Sequence, residues 1–324
     1  MSRIEVRHLS ARLSSFDEIL EAARGWDLDF RLLGPGSGSG TIEATFSRRS
    51  LNQRNRFGWK LHQRGASPQG MRTFAIGIAD QRPFSWRGFE LDGDWLVSFP
   101  EDGGFESVSG EGFHVYTLSF EEELVRSAAE ALQLPVDPLL SREACVRRTR
   151  PEAASRVREA LRHVRRLAGS RRSADRVARL TGVMEGTLLV SLLQAFSEGH
   201  TERVAAPSVR ARAVRRATEF IELAGRTPLL VSQVCEAAGV SWRTLDYAFK
   251  ERYGVSPKAF MKSRRLNAAR RTLREAKPGT TVRSAASRWG YWHMSQFAAD
   301  SVSYTHLTLP TNVQQCRSRW SPYH

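Results

Sequence analysis

Few residues of this 324-residue chain have the types and spacing that covalent or metal chemistry needs. The three cysteines, Cys145, Cys235 and Cys316, lie far apart and form no CxxC pair. Such spacing indicates neither a disulfide framework nor a zinc cluster, so we expect reduced thiols.

His62 and His114 are the histidines that a metal-binding or sugar-type barrel enzyme would use in the N-terminal part of the chain. Neither has a second histidine or a carboxylate at ligand spacing, apart from the distant Glu106 and Glu111. A barrel metalloenzyme stays an alternative function, and we expect that no metal or cofactor is required.

Basic side chains, in contrast, are concentrated in one segment. The formal net charge is +15, and residues 208 to 300 carry 18 basic side chains against 7 acidic ones, which is +11. Residues 1 to 120 carry 14 against 15, and residues 121 to 207 carry 15 against 12. This distribution is typical of a nucleic-acid-binding module, although a solvated basic face in an arginine-biased proteome would give a similar balance.

The same basic segment contains an internal repeat. Its copies read VSQVCEAAGVSWRTLDYAFKERYG and VRSAASRWGYWHMSQFAAD, and their central glycines, Gly239 and Gly290, are 51 residues apart. Glycine accepts the positive φ that ends a helix in a tight turn, and Leu245, Phe249 and Phe297 give the following helices a buried face. The pattern predicts two helix-turn-helix units, each with a second helix able to enter a DNA major groove. The stretch SPKAFMKSRRLNAARRTLREA predicts a helix that joins them at a fixed separation.

The text VSWRTLDYAFKERYGVSPKAFMKSRRLNAARRTLREA, followed by GYWHMSQFAAD, resembles the DNA-binding domain of the arabinose-regulator (AraC/XylS) family of bacterial transcription regulators. The resemblance covers roughly residues 208 to 300. It implies a cytoplasmic, effector-responsive activator that is not an enzyme and does not bind membranes. Its partners would be double-stranded promoter DNA, a small-molecule effector and RNA polymerase, with a homodimer as a further possibility.

Within that family, WGYWHMSQFAAD and the layout of strands before helices are similar to the ethanolamine-operon regulators. This narrower resemblance implies ethanolamine with adenosylcobalamin as the effector, although no residue can be assigned to either molecule. Trp59, Trp86 and Trp95 are candidate walls of an effector pocket, or core residues of the strands.

The family resemblance also implies which side chains of the first copy face DNA. Arg243 would pair with guanine, Asp246 would accept from a cytosine amino group, and Trp242 or Tyr247 would contact a thymine methyl group. Alternatively, Asp246 is a helix-surface acid that phosphate repels.

In the second copy the corresponding positions have small side chains with little capacity to read bases. The candidates there are Met294 and Ser295, with His293 and Gln296 beside them, and Ala298 and Ala299. Sequence-independent contacts to phosphate are expected from basic side chains, namely Lys250, Lys258, Lys262, Arg264, Arg265, Arg270 and Arg271.

The sequence predicts strands in its first part and helices after them, which together indicate an α+β fold. From Asp27 to Phe120 short alternating runs predict antiparallel strands of a barrel or sandwich-like sensor domain, and in GFHVYTLSF both faces are able to pack. After Glu121 the period becomes helical. Leu180, Met184, Leu188, Leu192 and Phe196 form a stripe that is either a dimer seam or a face packed on its own domain.

We therefore predict four regions. They are a β-rich effector-sensing domain (1–120), a helical dimerisation or connector region with a linker from 199 (121–207), a double helix-turn-helix domain cut short at its end (208–301), and a non-native tail (302–324).

The tail is predicted because the repeat breaks. Position 301, where the second copy should have the counterpart of Phe249, is Ser301. The text VSYTHLTLPT at 302 to 311 resembles a transposon-type sequencing adapter translated in frame. If so, a truncated small-molecule-binding or dimerisation protein with deficient DNA binding is the alternative function.

A third function is considered because the DNA-binding module of this family also occurs in alkyl-transfer DNA repair proteins. Their chemistry needs clustered thiolates, which three scattered cysteines cannot supply.

The N-terminus lacks the apolar stretch of an export signal. The sequence also lacks a run of about 18 apolar residues, so we expect no membrane span.

Overall fold

The computed structural model has the α+β fold that the sequence predicts, with antiparallel sheets first and helices after them. The structure describes residues 6–22, 28–34, 38–77, 84–87, 89–91, 94–100, 104–140, 143, 145–169, 174–202, 208–275 and 279–305. The chain forms two compact units. The first contains residues 1–30, 38–59 and 63–204, and the second contains residues 205–324 with the short segments 31–37 and 60–62.

The described strands lie in two sheets. They are β1 (Arg7–Leu13), β2 (Leu28–Leu32), β3 (Gly40–Phe46), β4 (Ser50–Phe57), β5 (Leu61–Gly65), β6 (Met71–Gly77), β7 (Phe84–Trp86), β8 (Phe89–Leu91), β9 (Trp95–Ser98), β10 (Phe105–Ser109), β11 (Phe113–Glu121), β12 (Cys145–Arg148) and β13 (His200–Glu202). The larger sheet has the order β1-β3-β4-β11-β6-β9-β12-β13 and is antiparallel throughout. The smaller sheet has the order β2-β5-β10-β7-β8. Among the described residues the sheets form two layers and no closed barrel, so the sandwich alternative fits better than the barrel.

Strand β11 shows how the alternating sequence sets this arrangement. It lies between β4 and β6, with Thr117 opposite Gln53 on one side and Ala75 on the other. Tyr116, Leu118 and Phe120 are buried in a core shared with helices, whereas alternate residues from Phe113 to Ser119 line a cavity. The prediction that both faces of this strand have partners is confirmed.

The helices of the first unit pack on the larger sheet. They are α1 (Phe16–Ala22), α2 (Glu122–Ala131), α3 (Pro151–Ala168), α4 (Ala174–Gly182) and, after a π-helical turn at Val183–Leu188, α5 (Leu189–Glu198). Every residue of the predicted stripe from Leu180 to Phe196 is buried in their common core, and the Phe196 ring lies 5.8 Å from the Phe74 ring. The stripe therefore packs on its own unit.

One continuous helical stretch, Arg176–Glu198, is long and apolar enough to cross a membrane by length and composition. It contains this buried stripe, and core helices of globular proteins have the same composition. The apolar character of the stretch is accounted for by packing.

Two short strands lie within the region 121–207, which the sequence predicted to be helices and a linker. β12 pairs with β9, and β13 pairs with β12, so that His200 lies opposite Arg148. The segment predicted as a linker from residue 199 thus begins with a strand, and residues 203–207 lie outside the described part.

Between residues 209 and 305, the described part of the second unit consists of helices and short connections. Its helices are α6 (Val209–Leu223), α7 (Val231–Ala238), α8 (Trp242–Tyr253), α9 (Pro257–Arg274), α10 (Val282–Arg288) and α11 (Met294–Thr305). Side-chain oxygens of Ser208, Ser241, Ser256 and Thr281 accept hydrogen bonds from backbone N–H groups in the first turns of α6, α8, α9 and α10. These caps fix where each helix begins.

Candidate nucleic-acid interface and ligand cavity

Helices α7 and α8 are joined by a turn of three residues. Gly239 has φ 69° and ψ 32°, in the left-handed region, and its N–H donates to the Glu236 carbonyl at 3.0 Å. The Val240 N–H donates to the Cys235 carbonyl at 3.2 Å. A glycine is needed here because any other residue is strained at this φ. Ser241 then begins α8, since its Oγ accepts from the Thr244 N–H at 3.3 Å.

One face of α8 is held in the unit and the other is open. Leu245 and Phe249 are fully buried, as predicted, and the Phe249 ring lies 5.4 Å from the Phe260 ring of α9. Trp242 and Tyr247 are exposed by 46% and 51%. Large exposed aromatic side chains at the start of a firmly packed helix are available for a binding partner.

The polar side chains on this open face are arranged in pairs. The Arg243 guanidinium lies 5.9 Å from the centre of the Tyr247 ring. Lys250 Nζ lies 2.7 Å from Asp246 Oδ2, and this hydrogen bond and the carboxylate charge raise the pKa of Lys250. Asp246 is thus paired with Lys250, one turn further along α8.

The segment around α10 and α11 repeats this geometry. Gly290 has φ 79°, the Tyr291 N–H donates to the Ala286 carbonyl at 3.1 Å, and α11 begins where the Phe297 N–H donates to the His293 carbonyl at 3.0 Å. Phe297 is buried, as predicted, and its ring lies 5.0 Å from that of Tyr291.

The predicted site residues of the second copy differ in exposure. His293, Ser295 and Gln296 are exposed, whereas Met294 is partly buried against the core formed with Tyr291 and Phe297. Sequence reasoning missed Trp292, which is 74% exposed. The sequence does contain a signal for it, because the turn of the second copy is one residue longer. Three positions separate Gly290 from His293, which precedes α11, whereas two separate Gly239 from Ser241, which precedes α8.

Lys262 and Arg264, two predicted phosphate-binding cations of α9, have partners within the protein. Lys262 Nζ lies 2.9 Å from Asp300 Oδ1, and the Gln296 amide donates to the same oxygen at 2.9 Å. Arg264 donates to the Gly225 carbonyl at 2.8 Å. These contacts tie α9 to α11 and to the end of α6, so we assign Lys262 and Arg264 first to positioning of the helices.

A cavity of about 110 Å³ lies between the two sheets of the first unit. Trp86 and Trp95 line it, as the sequence suggested, but Trp59 does not. Trp59 instead covers Gly38, where a Cβ would lie 2.8 Å from the indole ring.

The histidine and cysteine side chains of the described residues do not form a metal-binding or nucleophilic site. It contains no group of three or more histidine, cysteine or acidic side chains that could hold a metal ion. The Arg54 Nε donates to His114 Nε2 at 2.8 Å, and burial, with Arg54, Arg56 and Arg165 nearby, lowers the pKa of His114 to about 4. Cys145 and Cys235 are free, and burial raises the pKa of the Cys235 thiol, which opposes thiolate formation. Cys316 lies outside the described residues.

Residues 234–314 match the family model described as "Helix-turn-helix domain". This segment is a helix-turn-helix domain. The match continues past residue 301, and α11 also crosses that boundary. The non-native tail at 302–324 stays a prediction, and residues 306–324 lie outside the described part.

Known proteins with similar sequence or structure are regulators by name. A "Probable thc operon regulatory protein" of Rhodococcus erythropolis is 36% identical over 88 residues, which are 27% of this chain and 26% of the relative. The alignment thus spans about a quarter of the relative's length. The structure of a probable AraC family transcriptional regulator from Rhodopseudomonas palustris is 34% identical, covering 28% of this chain and 83% of that one, with a TM-score of 0.27. The AraC-like transcriptional activator CuxR is 14% identical, covering 87% and 100%, with a TM-score of 0.44.

Proposed function

We propose that this chain is an AraC-type transcription regulator that binds promoter DNA with its second unit and a small-molecule effector with its first. The observation that carries the proposal is the open face of α8, with Trp242, Arg243 and Tyr247, in a helix-turn-helix domain with a left-handed glycine turn. A recognition helix held in this way presents its first residues to the base edges of the major groove.

Each helix pair has its own part in the proposal. In α8, Arg243 pairs with guanine O6 and N7 while Trp242 or Tyr247 contacts a thymine methyl group, and the Asp246 carboxylate is kept close to phosphate by the Lys250 charge. At the beginning of α11, the exposed Ser295 and Gln296, with His293 just before the helix, contact DNA with fewer base-specific groups. Both helix pairs act as helix-turn-helix units.

The resemblance of residues 208 to 300 to the AraC/XylS family supports the remaining parts. By this resemblance we propose that the protein is cytoplasmic, activates transcription, contacts RNA polymerase and forms a homodimer. The effector is held by the cavity between the sheets.

Selection from a random duplex library with the full chain tests the DNA-binding part. We expect enrichment of a sequence that the chain binds at least about a thousandfold more tightly than unselected duplex at the same salt concentration. Equal affinity for selected and unselected duplexes would contradict sequence-specific regulation, and absence of binding would favour the alternative of a DNA-binding-deficient protein.

A further inference from the structure

We propose that the cavity between the sheets takes an uncharged, flat apolar molecule of about one aromatic ring that carries a hydrogen-bonding group. This inference rests on the proposed function, because it assigns the chemical class of the effector. It is carried by the chemistry of the cavity walls.

Aromatic rings form much of the wall. Phe84 lies 4.8 Å from Phe113 and 5.2 Å from Trp95, and Trp86 lies 5.5 Å from Phe99, measured between ring centres. All five side chains line the cavity. Edge and tilted contacts of this kind hold the rings in place and present their faces and edges to a further ring.

No described side chain that lines the cavity is ionisable. The cause is the alternation of the strands. Arg54 and Arg56 alternate with Gln53 and Asn55 along β4, and the side chains of Gln53 and Asn55 line the cavity. In the same way, Thr73 of β6 lines it.

The neighbouring charged groups are occupied elsewhere. Arg72, next to Thr73, donates to the Phe99 and Leu140 carbonyls at 3.0 Å each. Arg64 pairs with Glu106 at 3.2 Å. Neither side chain lines the cavity, so a charged ligand would find no counterion in its walls.

Several polar groups in the walls remain open to a neutral ligand. The Thr117 hydroxyl donates to the Gln53 side-chain carbonyl at 3.2 Å. The side-chain amides of Gln53 and Asn55 also line the cavity. The Trp86 side chain is 3% exposed, and its indole N–H is buried with no hydrogen-bond partner within the described residues. Buried donors of this kind are stabilised when a ligand accepts from them.

The volume limits the size of the ligand. A cavity of about 110 Å³ approaches the roughly 150 Å³ of an apolar cavity that holds benzene. It is far too small for adenosylcobalamin. Ethanolamine is a cation at neutral pH, and transfer of a charge into walls without a counterion is strongly unfavourable. The cavity therefore opposes both effectors that the ethanolamine-operon resemblance implies.

Binding of three probes that share one ring tests the inference with the full chain. The probes are benzamide, which is neutral, benzoate and benzylamine, measured by tryptophan fluorescence and by the shift in melting temperature. We expect benzamide to bind at least roughly tenfold more tightly than either charged probe. Equal or tighter binding of a charged probe, or a benzamide dissociation constant above roughly 10 mM, overturns the proposal.

Substitutions locate the probe and reverse its selectivity. Ala75→Leu, which fills the cavity, should abolish benzamide binding, whereas Leu9→Ala on the exposed edge strand should not change it. Gln53→Glu should make benzylamine the preferred probe, because the cavity then contains a carboxylate. Asn55→Asp provides the same reversal if Gln53→Glu does not fold. Unchanged selectivity in a folded carboxylate variant counts against the proposal.

DNA binding of the same preparations separates this inference from the proposed function. Benzamide selectivity without sequence-specific DNA binding leaves the cavity inference standing and removes the regulator. Sequence-specific DNA binding with no preference for benzamide removes the cavity inference alone.

Discussion

Arg243 and Lys250 both lie on the open face of α8, yet their contacts within the protein differ. Lys250 already pairs with Asp246 at 2.7 Å, so one helical turn of the face carries little net charge. Arg243 lies against the Tyr247 ring at 5.9 Å and keeps its planar donors available. A guanidinium supported on a ring is suited to bidentate pairing with guanine, whereas an ammonium on a flexible stem is suited to phosphate.

Arg243→Ala should therefore weaken binding to the selected operator by about 1 to 3 kcal/mol and relax the preference at one base pair. Lys250→Ala is the matched control on the same face, and it should weaken binding similarly on every sequence. Competition binding with single-base variants of the operator measures both effects. Uniform loss across all operator variants for Arg243→Ala would remove this residue from base recognition.

The two helix pairs differ in how they are held. Phe249, the ring that anchors α8, packs against Tyr253 and Phe260. The corresponding position in α11 is Ser301, which is buried but contributes no ring. Next to it, the largely buried Asp300 accepts from both Lys262 and Gln296. Polar contacts of Asp300 thus help to hold α11 against α9, whereas aromatic packing of Phe249 holds α8.

Lys262→Met should consequently destabilise α11, because it leaves the Asp300 carboxylate largely buried without its cation. We expect a loss of about 1 to 2 kcal/mol, seen as roughly tenfold faster amide hydrogen exchange in Met294–Asp300 without DNA. Lys258→Met is the matched control, since Lys258 is exposed on the same helix. If Lys262→Met exchanges like the parent chain and still loses DNA affinity, Lys262 is a phosphate contact and our structural assignment is wrong.

Sequence patterns predicted the elements whose residues repeat over several turns or strands. The period of four from Leu180 to Phe196 and the alternation from Phe113 to Phe120 reappear as buried faces. β12 and β13 were missed because strands of four and three residues in CVRR and HTE are too short to show a period. The contact of Lys262 with Asp300 was missed because residues 38 positions apart meet only through the packing of α9 on α11.

At the scale of the whole molecule, the net charge can be counted from the sequence, but the share of it that can bind DNA depends on the structure. Of the net +15, +11 lies in residues 208 to 300, but the structure shows that this charge is not all available to DNA. Lys262 and Arg264 are bound to other groups of the second unit, and Lys250 shares its charge with Asp246. The number of phosphates that the chain neutralises should therefore be well below the number of its basic residues.

The salt dependence of DNA binding by the full chain tests this expectation. If about four phosphates are neutralised, the slope of log K against log salt should be near −4, because each neutralised phosphate contributes roughly −0.9. Lys258→Gln should make the slope less steep by about 1, since this side chain is exposed and is one of the predicted phosphate contacts. Arg48→Gln removes an exposed charge from the first unit and should leave the slope unchanged. A slope near zero would contradict DNA binding through phosphates, and a slope near −10 would mean that the internally paired cations, including Lys262 and Arg264, leave their partners when DNA binds.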